Sequence, residues 1–132
     1  MAEDGQRARP AAAAVAAQHP RLLLVVLFGS RARGDARPVS DWDVGYLADG
    51  PVDPLALRRD LADGLGTDRL DLVDLARASA LLRYRAARDG VALFEREPGA
   101  FSRFWMTVVR FWCEVAPLVE AANAVTLGEG RE

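Results

Sequence analysis

An unbroken apolar run, Leu22 to Phe28 (LLLVVLF), dominates the hydrophobic pattern and stops at Gly29. It is too short and too β-branched for a helix of its own. It predicts a buried strand over 22–28 that delivers Gly29 and Ser30 to its carboxyl end. The stretch from Asp41 to Leu47 turns from polar to apolar and predicts a second strand, over 42–47. Period-two alternation there puts Asp41 and Asp43 on one face and Trp42 and Val44 on the other. Asp53-Pro54 is an N-cap followed by proline in the first turn, and Gly64-Leu65-Gly66 is a stop, so a helix is predicted over 53–64. Asp89-Gly90 similarly separates a helix over 78–88 from a strand over 91–95. A strand over 69–75, helices over 10–18 and 99–125, and a short turn or helix over 30–34 complete the pattern. The whole predicts one α/β (α+β) domain in which strands and helices alternate.

The last helix carries two apolar flanks. Phe101, Trp105, Val108, Trp112, Val115, Val119 and Ala122 recur at steps of four and three, while Phe104, Phe111, Leu118 and Val125 widen the surface to one side. One stripe would satisfy a sheet. Two flanks with Phe-Trp pairs seven residues apart leave aromatic area for a partner, which makes Phe104, Trp105, Phe111 and Trp112 candidate interface residues. The alternative is that both flanks are core. Pro117 is expected to bend or interrupt this helix.

At 132 residues the chain fits a single domain, with Met1 to Pro10 and 127–132 expected to be flexible ends. A net charge of −2 argues against a general nucleic-acid binder. All 17 basic residues are arginine. Without lysine there is no Walker A loop, no Schiff base and no lysine nucleophile, and any phosphate-binding cation must be arginine. One histidine, His19, and one cysteine, Cys113, exclude a zinc cluster and a Ser-His-Asp triad. His19, next to Pro20 near a helix end, is read as a loop or capping residue. The single cysteine suits a reducing cytoplasm. The alanine run from Ala11 reads as a helix rather than a signal peptide, and no stretch approaches the ~20 apolar residues that cross a bilayer.

Chemistry enters with Gly29-Ser30 and Asp41-Trp42-Asp43 ten residues beyond. Backbone N–H groups and the Ser30 hydroxyl at a strand end can face a phosphate. Mg²⁺ is a hard cation that takes carboxylate and phosphate oxygens together, so two aspartates two apart on a strand can clamp metal and nucleotide. Like charges side by side on an inward face are a poor stability device unless a cation neutralises them. Acidic residues at strand ends are common, but with each residue type at about 5–7% usage the joint pattern recurs in roughly one random chain per thousand. Arg31 and Arg33 follow Ser30, and spacing leaves open which of them reaches a phosphate and which faces solvent. Arg69-Leu70-Asp71-Leu72-Val73-Asp74 offers a further carboxylate, Asp71 or Asp74, on opposite strand faces.

The stretch GSRARGDARPVSDWDVGYL, residues 29–47, resembles the signature of the polymerase-β-like nucleotidyltransferases: Gly-Ser, a spacer of about ten, then Asp-x-Asp. The resemblance implies that fold, a small mixed sheet flanked by helices, together with a third metal-site carboxylate from a later strand, with Asp71 preferred, and Mg²⁺-dependent chemistry at a two-metal site. Over residues 20–118 the chain is similar to the minimal, MntA-type adenylyltransferase antitoxins. These are implied to transfer AMP from ATP to a tyrosine of a HEPN-domain ribonuclease toxin and so silence it. The family often shows a basic, an aromatic and an acidic residue at alternate positions of the last helix. Arg110, Trp112 and Glu114 stand there, with tryptophan in place of the usual tyrosine. The expected site is therefore Asp41, Asp43 and Asp71 as catalytic and metal-binding residues, with Gly29, Ser30, Arg31 and Arg33 on the nucleotide. The alternatives are an antitoxin that acts by occlusion alone and a small-molecule nucleotidyltransferase.

Overall fold

The computed structural model of the chain describes residues 3–130. Four strands, β1 (Leu22–Phe28), β2 (Trp42–Ala48), β3 (Leu70–Asp74) and β4 (Val91–Glu95), form one sheet in the order β3-β2-β1-β4. β1 is antiparallel to both neighbours, and β2 and β3 are parallel. The sheet is therefore mixed, as the resemblance implies. Every residue of β1 except Leu23 is buried, because it is a central strand covered on both faces. A register shift between Leu22 and Leu24 moves the strand's parity, so Leu22, Val25 and Leu27 face one layer and Leu24, Val26 and Phe28 the other.

The first layer contains α1 (Glu3–Gln18) and α3 (Pro54–Leu65), with Ala8, Ala12, Val15, Leu57 and Leu61 packed on Trp42, Val44 and Tyr46. The second contains α4 (Ala80–Asp89) and α5 (Ala100–Gly130), with Ala86, Ala87, Phe104 and Val108 against the opposite face. A single turn, α2 (Ser30–Arg33), follows β1. The predicted caps of α3 are present. Asp53 accepts from the Leu55 and Ala56 N–H groups, and Gly66 closes the helix at φ 71°, donating to the carbonyls of Ala62 and Asp63. Ser79 caps α4 by accepting from Leu82 N–H.

Two expectations are corrected. The predicted flexible start from Met1 to Pro10 is, from Glu3 onward, part of α1. Gly5, Ala8, Ala12, Val15 and Ala16 lie on one buried face at helical spacing, and this close packing outweighs the hydrogen bond lost at Pro10. At the other end α5 runs past residue 125 to Gly130 and is not interrupted at Pro117. Only 131–132 of the expected flexible end lie outside the described residues. Val115, Leu118, Val119, Ala122 and Val125 of the predicted stripe have side chains outside those described. None of the described helices is long and apolar enough to cross a membrane.

Leu27 is fully buried at the centre of the sheet, whereas Leu81 is 46% exposed. Leu27→Ala should lower stability by about 2–5 kcal/mol. Leu81→Ala should stay within about 0.5 kcal/mol of the parent, both read by urea denaturation.

Candidate active site

One end of the sheet gathers the residues that matter. β1 ends there, β2 begins there because it is antiparallel to β1, and β3 begins there because it is parallel to β2. In register, Phe28 lies opposite Asp43, and Asp43 beside Asp71. Alternation then sends Asp43 and Asp71 to the α4 side, while Trp42, Val44 and Leu70 go to the α1 side.

Gly29 has φ 74° and ψ −157°, a backbone conformation that only glycine adopts at low cost. A Cβ there would also collide with Asp43 Oδ2. The carboxylate is thus seated against bare backbone. Burial is the main reason that the Asp43 carboxyl is pushed above its ordinary range, followed by repulsion from Asp71 and then Asp41, with Arg33 opposing. Asp41 precedes the strand with its side chain 64% exposed and stands 4.0 Å from Arg69 Nη1. Asp71 is exposed at the start of β3. Asp74 serves the turn after β3, where its Oδ1 accepts from Ala76 N–H and its carboxylate pairs with Arg77.

The ten residues between Ser30 and Asp41 are held by Arg31. Its Nε and Nη2 donate to the Ser40 carbonyl at 3.2 and 2.8 Å, Nη2 also to the Pro38 carbonyl, and Nη1 to Asp4 Oδ2 at 3.2 Å. The guanidinium lies 4.5 Å from the centre of the Trp42 ring. Arg31 is accordingly buried on the α1 side, away from the carboxylates. This corrects its expected place on the nucleotide; Arg33 is the member of the pair that reaches the acidic end.

Gly29, Ser30, Arg33, Asp43 and Asp71 line one open cleft of about 600 Å³. Its other wall does not follow from the motif: Arg85, Arg88 and Asp89 come from the last turns of α4, with Phe28, Val73 and Leu82 as the apolar part. A signal for it is present in the sequence, since Arg85 and Arg88 are three apart in a helix that ends at a glycine. Asp89 accepts from Arg88 Nε and Nη2 at 3.0 and 2.9 Å and stands 3.6 Å from Arg33 Nη1. The hydrogen bond from Arg88 is the leading reason that the Asp89 carboxyl is held below its ordinary range.

The four candidate interface residues of α5 separate. Phe104 is buried against the sheet, which corrects its assignment to a partner surface: one face of the helix, Phe101, Phe104 and Val108, does the packing. Trp112 is half-buried and stacks on Tyr84 of α4 at 4.8 Å between ring centres. Trp105 and Phe111 are 44% and 49% exposed, and Met106, next to Trp105 in the chain, is 54% exposed. His19 is structural, its Nε2 lying 2.8 Å from Asp60 Oδ2 and tying the turn after α1 to α3.

The family model for polymerase beta nucleotidyltransferases matches residues 12–99, which contain the whole cleft. The chain belongs to that family. A similar curated relative of this nucleotidyltransferase is the protein adenylyltransferase MntA of Aphanizomenon flos-aquae, 31% identical over 102 residues that cover 68% of each chain. The protein adenylyltransferase MntA of Shewanella oneidensis is 38% identical over 78 residues, which cover 57% of this chain and 55% of the relative, little more than half its length. Among solved structures, a toxin–antitoxin crystallised with AMP-PNP contains a chain of the same fold. Its TM-score is 0.75 at 24% identity, covering 90% of this nucleotidyltransferase and 98% of that chain.

Among the described residues no three His, Cys, Asp or Glu side chains form a ready-made metal cage. The donor set nevertheless suits Mg²⁺, which binds through one or two carboxylates and completes its shell with water and substrate phosphates. Asp43, whose charge is disfavoured by burial and by two neighbouring carboxylates, is the group such an ion would relieve.

A raised carboxyl value in the folded nucleotidyltransferase means that stability falls as pH rises through it, since the folded state then binds more protons than the unfolded one. Asp43→Asn should therefore raise the metal-free protein's Tm at pH 7, the gain fading below about pH 4. Melting curves of both proteins across pH check this; a lower Tm for the variant at pH 7 would contradict it.

Proposed function

We propose that this chain is a protein adenylyltransferase antitoxin that moves AMP from ATP onto a tyrosine hydroxyl of a HEPN-domain ribonuclease and so silences it. The observation that carries the reading is the Asp43 carboxylate against Gly29, beside Asp71 and opposite an arginine wall. That arrangement supports a triphosphate entering a cleft with negative charge on one side and positive on the other. The names of the two curated relatives support a protein as acceptor.

In this reading Gly29 and Ser30 receive the phosphates, and Arg33 offsets their charge. The acceptor oxygen forms a bond to the α-phosphorus while the bond from that phosphorus to the bridging oxygen breaks, and pyrophosphate leaves with the electron pair. Asp71, exposed at the mouth, receives the hydroxyl proton. Asp41, Asp43 and Asp71 would hold Mg²⁺, which when bound supplies charge neutralisation for the polyphosphate. The protein's own contribution is positioning and fixed charge. The exposed thiol of Cys113 fits a reducing cytoplasm.

With α-labelled ATP, Mg²⁺ and a purified HEPN-domain ribonuclease, the native chain should label a tyrosine of that protein. The Asp41→Asn/Asp43→Asn double variant should be slower by at least about a hundredfold. Absence of transfer by the native chain, or equal transfer by the variant, rejects the reading.

Trp105 and Phe111 are the exposed aromatic side chains of α5 among the four candidates and are the proposed docking residues. Trp105→Ala and Phe111→Ala should each weaken the complex about tenfold without lowering stability. Phe104→Ala should instead destabilise the fold by about 3–5 kcal/mol. Binding and melting measured on the same samples separate the two effects.

A further inference from the structure

The α4 wall of the cleft has no role in the motif that identifies the family. Arg85 and Arg88 lie one helical turn apart on the same face of α4 and line the cleft across from Asp43 and Asp71. With Arg33 they bring three guanidinium groups to a space that also holds three aspartates, Asp43, Asp71 and Asp89.

The aspartates are not equivalent. Asp89, with its side chain 16% exposed, binds Arg88 side-on through Nε and Nη2 and stands within ion-pair distance of Arg33. A guanidinium has five N–H donors, so this pairing leaves donors of Arg88 for a second anion. Arg88 is also braced from behind by Tyr84, whose ring centre is 5.5 Å from its Cζ, and Tyr84 is itself stacked on Trp112. Arg85 is exposed and has no ion pair among the described residues. A fork held on one edge and open on the other, next to a free fork one turn away, is the arrangement that recognises phosphate oxygens bidentately.

We propose that Arg85 and Arg88 form a clamp for the terminal phosphates of the nucleotide, so that this chain selects its donor by the length of its phosphate chain. Asp89 is the positioning residue of the clamp, because it fixes the plane of Arg88 and tethers Arg33 at the same point. The inference rests on the nucleotidyl-transfer reading for its ligand. It differs in its residues: none belongs to the Gly-Ser and Asp-x-Asp elements.

The test is calorimetric titration of the full chain with ATP, ADP and AMP in the presence of Mg²⁺. The native chain should bind in the order ATP, ADP, AMP. Arg85→Ala and Arg88→Ala should each weaken ATP about tenfold, the effect of one lost charge-assisted contact, and leave AMP unchanged. Arg77→Ala, the same loss of charge on the exposed turn after β3, should bind all three like the parent. Native ATP affinity in both α4 variants, equal losses for ATP and AMP, or an Arg77→Ala defect as large as theirs would each overturn the clamp. Asp89→Asn should lower ATP affinity with AMP unchanged and Tm within a few degrees, and an unaltered ATP affinity would remove the positioning role. AMP transfer onto the partner at an unchanged KM for ATP in Arg85→Ala and Arg88→Ala would overturn the clamp and leave the transfer reading standing. Arginine-dependent ATP binding without any transfer would do the reverse.

Discussion

The molecule is organised around a carboxylate that has almost no room. Asp43 is pressed against Gly29 because β1 and β2 are paired in a register that leaves no space for a side chain at the turn, and the neighbouring strand adds Asp71 at the same level. Burial and like charge both work against the ionised form. A fold that keeps such a group at that position gives up stability there, and the loss is tolerable because two extensive apolar layers flank the sheet. Burial and neighbouring carboxylates at one position are an electrostatic cost that a bound cation would offset.

Much of the fold was legible because its local signals agree with one another. The apolar run of β1, the Asp53-Pro54 cap with Gly66 beyond it, and the Asp89-Gly90 stop each state the same boundary that the tertiary structure adopts. The ends were not legible. Pro10 reads locally as a helix start, yet α1 begins seven residues earlier, since the small residues at 5, 8 and 12 are of use only against a sheet that periodicity cannot see. On α5, spacing alone could not rank two candidate stripes. The position of α4 chose Phe104 and Val108 for the interior and left Trp105 outside.

The site divides along the same line. Gly29, Ser30 and Asp43 belong to one short motif, so their meeting at one end of the sheet could be read from spacing and alternation. Arg85, Arg88 and Asp89 enter the cleft only because α4 ends at the same edge of the sheet where β1 ends, a fact of topology and not of sequence distance. Arg31 and Arg33 illustrate the limit most clearly. They are two apart in a single helical turn, and one is spent on loop carbonyls and Asp4 while the other faces Asp89.

That use of Arg31 links regions that a motif description keeps separate. The indole of Trp42, between the two motif aspartates, is gripped by Arg31 from the far side of the sheet, and Arg31 is in turn anchored to Asp4 near the beginning of α1. Trp42 and Asp43, consecutive in β2, thus act as a bolt through the sheet, with the indole in the helical layer and the carboxylate in the cleft. A nick, a fusion or a misplaced tag that peels the first turn of α1 away would loosen the carboxylates on the opposite side without touching any of them.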